Sequence, residues 1–319
     1  MADTVFTWGP TNVTTLITTT LEKRRKGKGI HDAVFNEMVL LSWLHDKNRT
    51  TEDGGATIVA PIMSGTNETA QFFDGHEQVD VTPQEGFTSA SYAWKQAADS
   101  ISVSDREEMQ NSGSSQVFRI ADAKMKQGEM ALRNRINQAF FTSSPASNAI
   151  GSLVTSIDAT STIGDINSSS NTFWQGSVTA SGSFAAQGLS DMRAKYNTIA
   201  SRNPVGGPQL ILTTQTVYEF YEGSLQPQQR FQGKVGNGSF DNLMFKAAPV
   251  TYDVECNSGV MYFLHSDAIE FIVHSQRDFV LTEWVKPVNG VSKVAQLVLM
   301  ANLVVNNRRK LGKLTAITA

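Results

Sequence analysis

A single cysteine, Cys256, in 319 residues excludes a disulfide within the chain and any cysteine-cluster metal site. Charge is scarce too: charged residues are 18 % of the chain, against roughly a quarter in an ordinary globular domain. Serine and threonine take their place, a composition that suits a surface given over to other subunits. The formal charge of −3 excludes a globally basic nucleic-acid binder. No run approaches the roughly 18 uninterrupted apolar residues of a membrane-spanning helix. Met1 to Pro10 has no apolar core of the kind a secretory signal needs. The expectation is a protein made and used in the cytosol or released without secretion, so Asn67-Glu68-Thr69 is no glycosylation acceptor.

Catalytic signatures are missing as well. The five histidines, His31, His45, His76, His265 and His274, form neither H-x-x-x-H nor H-E-x-x-H. His76 stands beside Asp74 and Glu77, but in a turn, where a solvated loop histidine is expected. Cys256 has Asp253, Glu255 and Asn257 nearby and no base to lower its pKa. Gly206-Gly207 precedes a strand, the wrong order for a phosphate cradle at a helix start. No catalytic residue, cofactor or metal is assigned, and the reading is of a protein that is not an enzyme.

What the sequence does contain is a long amphipathic helix and an extended hairpin leading into it. From Ser115 to Phe141, the residues Val117, Ile120, Ala121, Met125, Leu132, Ile136, Ala139 and Phe140 recur at three- and four-residue steps. That spacing lays one apolar stripe along a helix of 3.6-residue period, about 40 Å long at 1.5 Å per residue. Asp122 with Lys126, and Glu129 with Arg133, are spaced for i,i+4 ion pairs with the acid first. Just upstream, Ser104-Asp105-Arg106-Glu107 reads as a capping box.

The hairpin spans 56–103. Thr57 to Met63 is extended, with Pro61 favouring an edge. Thr69 to Phe73 is expected to continue upward to a turn at Asp74-Gly75, and Phe87 to Val103 to return. A two-stranded ribbon this long has no third strand to bury it, so Phe72, Phe73, Tyr92 and Trp94 are expected to be exposed on one copy and sheltered by another.

Around these elements, 1–30 reads as an arm carrying Lys23-Arg24-Arg25-Lys26-Gly27-Lys28. This is either a solvated charge run or a contact with an anion, whether packaged nucleic acid or an acidic patch on a neighbouring chain. His31 to Leu44 is a short helix candidate. Residues 142–182, rich in Ser, Thr, Asn and Gly with isolated apolar anchors at Ile150, Leu153, Phe173 and Trp174, read as irregular surface-running chain. Helices are expected near Ala186 to Ala200 and Thr216 to Tyr221, and a mobile loop over Gln226 to Phe240. Strands are expected at Gln209 to Thr213, Val250 to Val254, Val260 to Leu264 and Ile269 to Val273. Val280 to Val288 and Val291 to Val305 flank Asn289-Gly290, a hairpin signal. The last strand is apolar on both faces and should be covered on both, with the long helix as one cover. A basic triplet, Arg308-Arg309-Lys310, follows.

This order of elements resembles the major capsid protein of tailed bacteriophages, the Hong Kong 97-type fold. Residue details are similar to it also: Phe173-Trp174 after the long helix; Pro208 to Thr214 followed by Tyr218-Glu219-Phe220-Tyr221; Phe240 to Tyr252 before Met261-Tyr262-Phe263-Leu264; and Asn302-Leu303 before the basic end. The resemblance implies an α+β fold with an N-terminal arm and short helix (1–55) and an E-loop ribbon (56–103). A spine helix with peripheral domain (104–185), an axial domain (186–275) and closing strands of the peripheral domain (276–319) would follow. It implies self-assembly into pentamers and hexamers of an icosahedral shell around double-stranded DNA, in a virion assembled in the host cytoplasm. Scaffolding, portal and decoration proteins would be partners, and no membrane. Phe72, Phe73, Tyr92 and Trp94 would make intersubunit contacts, and Lys23, Arg24, Arg25, Lys26 and Lys28 would face an interior anion. Some relatives crosslink E-loop lysines to asparagines of neighbours; Lys95 lies in the ribbon, but no partner or catalytic acid can be matched, and the chemistry is not carried over. Two other readings stand beside this one: an encapsulin-like shell around protein cargo, and an enzyme of unknown chemistry on an α/β core.

Overall fold

The computed structural model describes residues 38–110, 120–203, 206–225, 232–234, 241–288 and 290–319. The chain divides into two compact units, one holding 97–134 and 279–299, the other 37–96, 135–278 and 300–319.

In the first unit, strand β4 (Lys95–Ser104) leads directly into helix α2 (Asp105–Gln110). The capping box forms as its sequence predicts: the Glu107 carboxylate accepts from the Ser104 amide at 3.1 Å, and the Ser104 hydroxyl accepts from the Arg106 amide at 3.3 Å. Three lysines answer the acids of this short helix. Lys124 meets Glu107 at 2.7 Å, Lys286 meets Asp105 at 3.2 Å and Lys293 meets Glu108 at 2.7 Å.

The long helix α3 spans Ile120–Phe140; the part of the predicted helix over 115–119 lies outside the described residues. Its stripe is completed by Gly128, whose missing side chain lets the helix pass close to β4. A Cβ there would stand 2.7 Å from Asp99 Oδ2 and 3.1 Å from Ile101 Cγ1. Glu129 and Arg133 pair at 2.7 Å, as their spacing requires.

β4 pairs with β13 (Ser292–Val305), as does the short β12 (Val280–Leu281), with Val280 opposite Val298. The expected long hairpin around Asn289-Gly290 is therefore corrected. Only Val280 and Leu281 form a strand, and beyond them a single bridge joins Val285 to Val294. The 292–299 half of β13 alternates, with Ala295, Leu297 and Leu299 buried and Gln296 exposed, so two-sided cover is confined to 301–305.

In the second unit, the 300–305 half of β13 pairs antiparallel with β11 (Ile269–His274). The latter pairs in parallel with β1 (Arg49–Glu52). Helix α1 (Val39–Lys47) precedes β1. The Leu40 amide, in its open first turn, donates to the Asp253 carboxylate at 3.3 Å, which also accepts from Asn137 Nδ2 at 3.0 Å. Asp253 is buried, and desolvation pushes its carboxyl above the ordinary value. The end of α3 lies on this sheet, with Phe140 edge-on to Phe271 at 5.9 Å.

A second, mixed sheet has seven strands in the order β5 (Ser177–Ser183), β14 (Gly312–Thr318), β10 (Met261–Leu264), β6 (Leu210–Thr213), β9 (Ala248–Tyr252), β8 (Asp241–Phe245) and β7 (Gln232–Lys234). Helices α4 (Leu189–Ser201) and α5 (Gln215–Ser224) cover it, and Met192, Tyr196, Ile199, Val217 and Tyr221 fill the core against Ile211, Val250, Met261 and Phe263. The assignment of all of 276–319 to closing strands of the peripheral domain is thus corrected. Gly312–Thr318 pairs with Ser177–Ser183 on one side and Met261–Leu264 on the other, within the seven-stranded sheet.

In the Ser-rich stretch 142–182 the anchors Ile150, Leu153 and Trp174 are buried as expected, while residues such as 142–144, 146–148 and 169–170 are exposed. Ile157, Ser152, Ser156 and Ser168 are buried as well, so the stretch runs deeper than its composition implies. Its small hydroxyl side chains let the backbone fold tightly enough to aim carbonyls inward, at a cation described below.

Candidate assembly surface

The ribbon is β2 (Thr57–Met63) paired with β3 (Phe87–Ala93), from Thr57 opposite Ala93 to Met63 opposite Phe87. Strand alternation gives it one dry face. Ile58, Ala60, Ile62, Ala90 and Tyr92 are buried with Ile166, Trp174, Ile272 and Val304 of the same chain. Gly164 makes the approach possible: its φ is +61°, and a Cβ there would stand 2.5 Å from that of Ala90.

The expectation that four ribbon aromatics are exposed is therefore corrected for two. Tyr92 shares the inward face with Ala90; it is 7 % exposed and its hydroxyl donates to Val305 O at 2.9 Å. Burial pushes that phenol up to about 12. Trp94 is half-buried, its indole N–H donating to Gly55 O at 3.1 Å and its ring edge-on to His274 at 5.5 Å. The cover is the Ser-rich segment, which composition alone placed at the surface.

Phe72 and Phe73 behave as expected. Between Met63 and Phe87 the chain forms no strand, so the upward continuation over Thr69 to Phe73 does not occur, and every residue from 70 to 85 is exposed. The loop is closed at its foot by the Ser64 amide donating to Gly86 O at 2.8 Å. Along its length it is shaped by side chains accepting from nearby amides: Asn67 from Thr69 at 3.0 Å, Asp74 from Gly75 at 2.8 Å, and Asp80 from Thr82 at 2.9 Å. Phe72 is 106 % exposed and Phe73 62 %, with Val79, Val81 and Phe87 exposed nearby. Val79 and Val81 escaped the sequence reading because aromatics alone were sought, and Phe87 because it was taken as the start of the returning strand; the absence of helical or alternating period over 64–86 was the available signal. A second apolar tip, Val285, Val288 and Val291, is exposed at the β12–β13 turn.

Other sequence-selected residues fall elsewhere. Lys95 is at the ribbon's foot, its amine donating to Ser147 O at 2.5 Å. Lys23, Arg24, Arg25, Lys26 and Lys28 lie outside the described residues, as does most of Gln226 to Phe240. His76 is exposed in its turn. Cys256 is buried and its thiol is pushed far up by desolvation. No group of three or more metal-binding side chains occurs among the described residues.

Arg308, the first of the basic triplet, is not at the surface. It is fully buried, reaching into the Ser-rich stretch. Nε donates to Ser156 O at 2.8 Å, Nη1 to Ser161 O at 3.1 Å and to the Ser168 hydroxyl, and Nη2 to Asp158 O at 2.6 Å, Thr155 O at 3.3 Å and Ser161 Oγ at 2.9 Å. The Trp174 ring lies 6.0 Å away. Burial brings its pKa down to about 10, so it remains a cation at neutral pH, satisfied by carbonyls rather than carboxylates.

The described elements are a paired ribbon ending in an exposed loop, a capped strand-to-helix junction, a long helix, and a mixed sheet under two helices. The chain has the Hong Kong 97-type fold. It is similar to a Cyanophage A-1(L) capsid structure, with TM-score 0.69, 14 % identity, and 94 % of this chain and 98 % of that one covered. It is also similar to a structure of Mycobacterium phage Bobi, with TM-score 0.59, 14 % identity, and 92 % and 96 % covered. The holo-SrpI encapsulin complex from Synechococcus elongatus is similar with TM-score 0.60, 8 % identity, and 93 % of each chain covered. No protein-family model and no curated protein matches the sequence.

Proposed function

We propose that this chain is the major capsid protein of a tailed bacteriophage, a structural rather than catalytic subunit. It assembles into pentamers and hexamers of an icosahedral shell around double-stranded DNA. The observation that carries the reading is the loop between Met63 and Phe87, exposed at every residue from 70 to 85 and bearing Phe72 and Phe73 on a ribbon with one buried face. Apolar side chains held out on a shaped loop have no function within one copy and fit a neighbour's surface. The likeness over nearly the whole chain to phage capsid structures supports it. Scaffolding, portal and decoration proteins belong to this reading as partners, and the virion as location.

The test replaces 66–85 with a short Gly-Ser bridge, which keeps the Ser64–Gly86 closure. The expected product has native circular dichroism and forms no closed particles by electron microscopy. Closed particles from it refute the role of the loop; an unaltered chain that stays one small oligomer at every concentration refutes the shell itself.

A second reading, a shell around protein cargo, is favoured by the encapsulin likeness. Nuclease-protected DNA in purified particles decides for the first reading, a co-purifying enzyme without DNA for the second.

A further inference from the structure

The turn between β10 and β11 carries the chain from the seven-stranded sheet to the sheet that contains β13. It is a single 3-10 turn, Ser266–Ala268, capped by His265. His265 is 1 % exposed, and its Nδ1 accepts from the Asp267 amide at 3.2 Å. An imidazole nitrogen that accepts carries no proton, so the ring is neutral and protonated on Nε2. Its backbone takes part too: His265 O accepts from the Ala268 amide at 3.1 Å.

Other segments fasten to the same turn. Asn48, just ahead of β1, donates through Nδ2 to Ser266 O and to Ile269 O, the latter at 2.6 Å. The Asn306 and Asn307 amides, past the end of β13, donate to Ala268 O at 2.9 and 3.4 Å. Lys310, in the turn Arg308–Lys310 that precedes β14, places Nζ 3.6 Å from Asp267 Oδ2. That same Asp267 oxygen is 3.7 Å from His265 Nδ1. Several distant stretches of chain thus meet at one turn whose cap can take up a proton. The charged groups that reach the ring are Asp267 from its own turn and Lys310 from the next. Burial holds the ring's pKa below its ordinary 6.5; Lys310 adds to this and Asp267 opposes it.

We infer that His265 is a proton-operated catch on this turn. Neutral, it holds the Asp267 amide and leaves the Asp267 carboxylate to Lys310; protonated, it releases the amide and claims that carboxylate itself. The proton enters at Nδ1, so an acceptor becomes a donor and the Asp267 N–H loses its partner. Lys310 then loses its counter-charge. The folded pKa lies below the unfolded one, so the unfolded chain binds more protons between the two values. The hold of this joint is therefore complete above 6.5 and lost as pH falls from there through the folded value.

His265→Asn tests it in the unassembled full chain, because an asparagine oxygen caps the same kind of turn without titrating. Hydrogen exchange, corrected for the intrinsic effect of pH, is followed at the amides of Asp267, Ala268, Asn306 and Asn307. From about pH 7 to about pH 5 the parent is expected to open about tenfold more often there, as for one lost hydrogen bond, and His265→Asn to change less than about twofold. Equal pH dependence in parent and variant overturns the catch. Nuclear magnetic resonance of the unaltered chain, with labelled histidine, gives a second readout that does not depend on the variant folding. His265 is expected to be protonated on Nε2 at neutral pH and to titrate below 6.5, with Lys310→Met raising its midpoint and Asp267→Asn lowering it. A proton on Nδ1 at neutral pH, or a midpoint at or above 6.5, overturns the catch and leaves the shell reading untouched.

Discussion

Replacing Arg308 by methionine keeps much of the side chain's volume and removes its fork. Six acceptors lose a bond: the carbonyls of Thr155, Ser156, Asp158 and Ser161, and the hydroxyls of Ser161 and Ser168. The hydroxyls can rotate toward other partners, and three carbonyls keep a donor: Thr155 O the Ser161 hydroxyl, Ser161 O the Ser168 hydroxyl and Asp158 O the Gly176 amide. The Ser156 carbonyl bears the loss, which costs about 1–3 kcal/mol for a buried acceptor left unsatisfied, and the stretch loses its common anchor, while relief from desolvating a buried cation offsets part of the total. The net expectation is a loss of about 1–3 kcal/mol, a sizeable part of the roughly 5–15 kcal/mol typical of a native chain. R308K retains charge and up to three donors on a single nitrogen, and should fall between the two. Urea unfolding of the unassembled chain gives the magnitude, and amide exchange over 152–174 locates it, since those residues are organised around the guanidinium. If R308M unfolds at the same urea concentration as the parent with 152–174 equally protected, Arg308 is a surface charge after all and its burial is wrong.

Two further substitutions probe the packing. Gly164→Ala sets a Cβ 2.5 Å from that of Ala90 at a φ of +61°; a loss of about 2–4 kcal/mol in thermal or urea unfolding is expected, and a neutral result would mean the ribbon does not rest there. Lys195 is buried, bonded to Ser177 and Thr179 hydroxyls at 3.0 and 2.7 Å, and burial lowers its pKa to about 8. Between that value and its ordinary 10.5 the unfolded chain binds more protons, so Lys195 makes stability rise with pH across the window and leaves it flat below. Lys195→Met should remove that rise, read as the difference between parent and variant unfolding midpoints from about pH 7 to about pH 10; parallel curves would refute it.

Features set by neighbours in sequence were legible before any coordinates. The capping box at Ser104 needs only residues three apart, and the α3 stripe only a period; both formed as read. Even so, Gly128, which fixes how closely α3 passes Ile101, gave no signal in a hydrophobic pattern. Tyr92 was misplaced because its cover, Trp174 and Val304, lies far along the chain. Arg308 sits in a basic triplet to which the sequence gives no internal partner, and only its contacts in 155–168 reveal its burial. Phe72 and Phe73 were legible for the opposite reason: nothing distant covers them, so composition told the truth. The resemblance groups Gly312–Thr318 with the closing strands of 276–319, and only its pairing register places it in the seven-stranded sheet.

That placement bears on timing. Gly312–Thr318 is emitted after every other strand of its sheet, yet it lies between two of them, so the wedge arrives after the gap. At roughly 5–20 residues per second, a ribosome needs tens of seconds to reach it, and meanwhile Ser177–Ser183 has no neighbour to join it to Met261–Leu264. A prematurely terminated chain would lack this keystone altogether. The seven-stranded sheet is therefore complete only once Gly312–Thr318 has been made and has slotted between strands that were waiting for it.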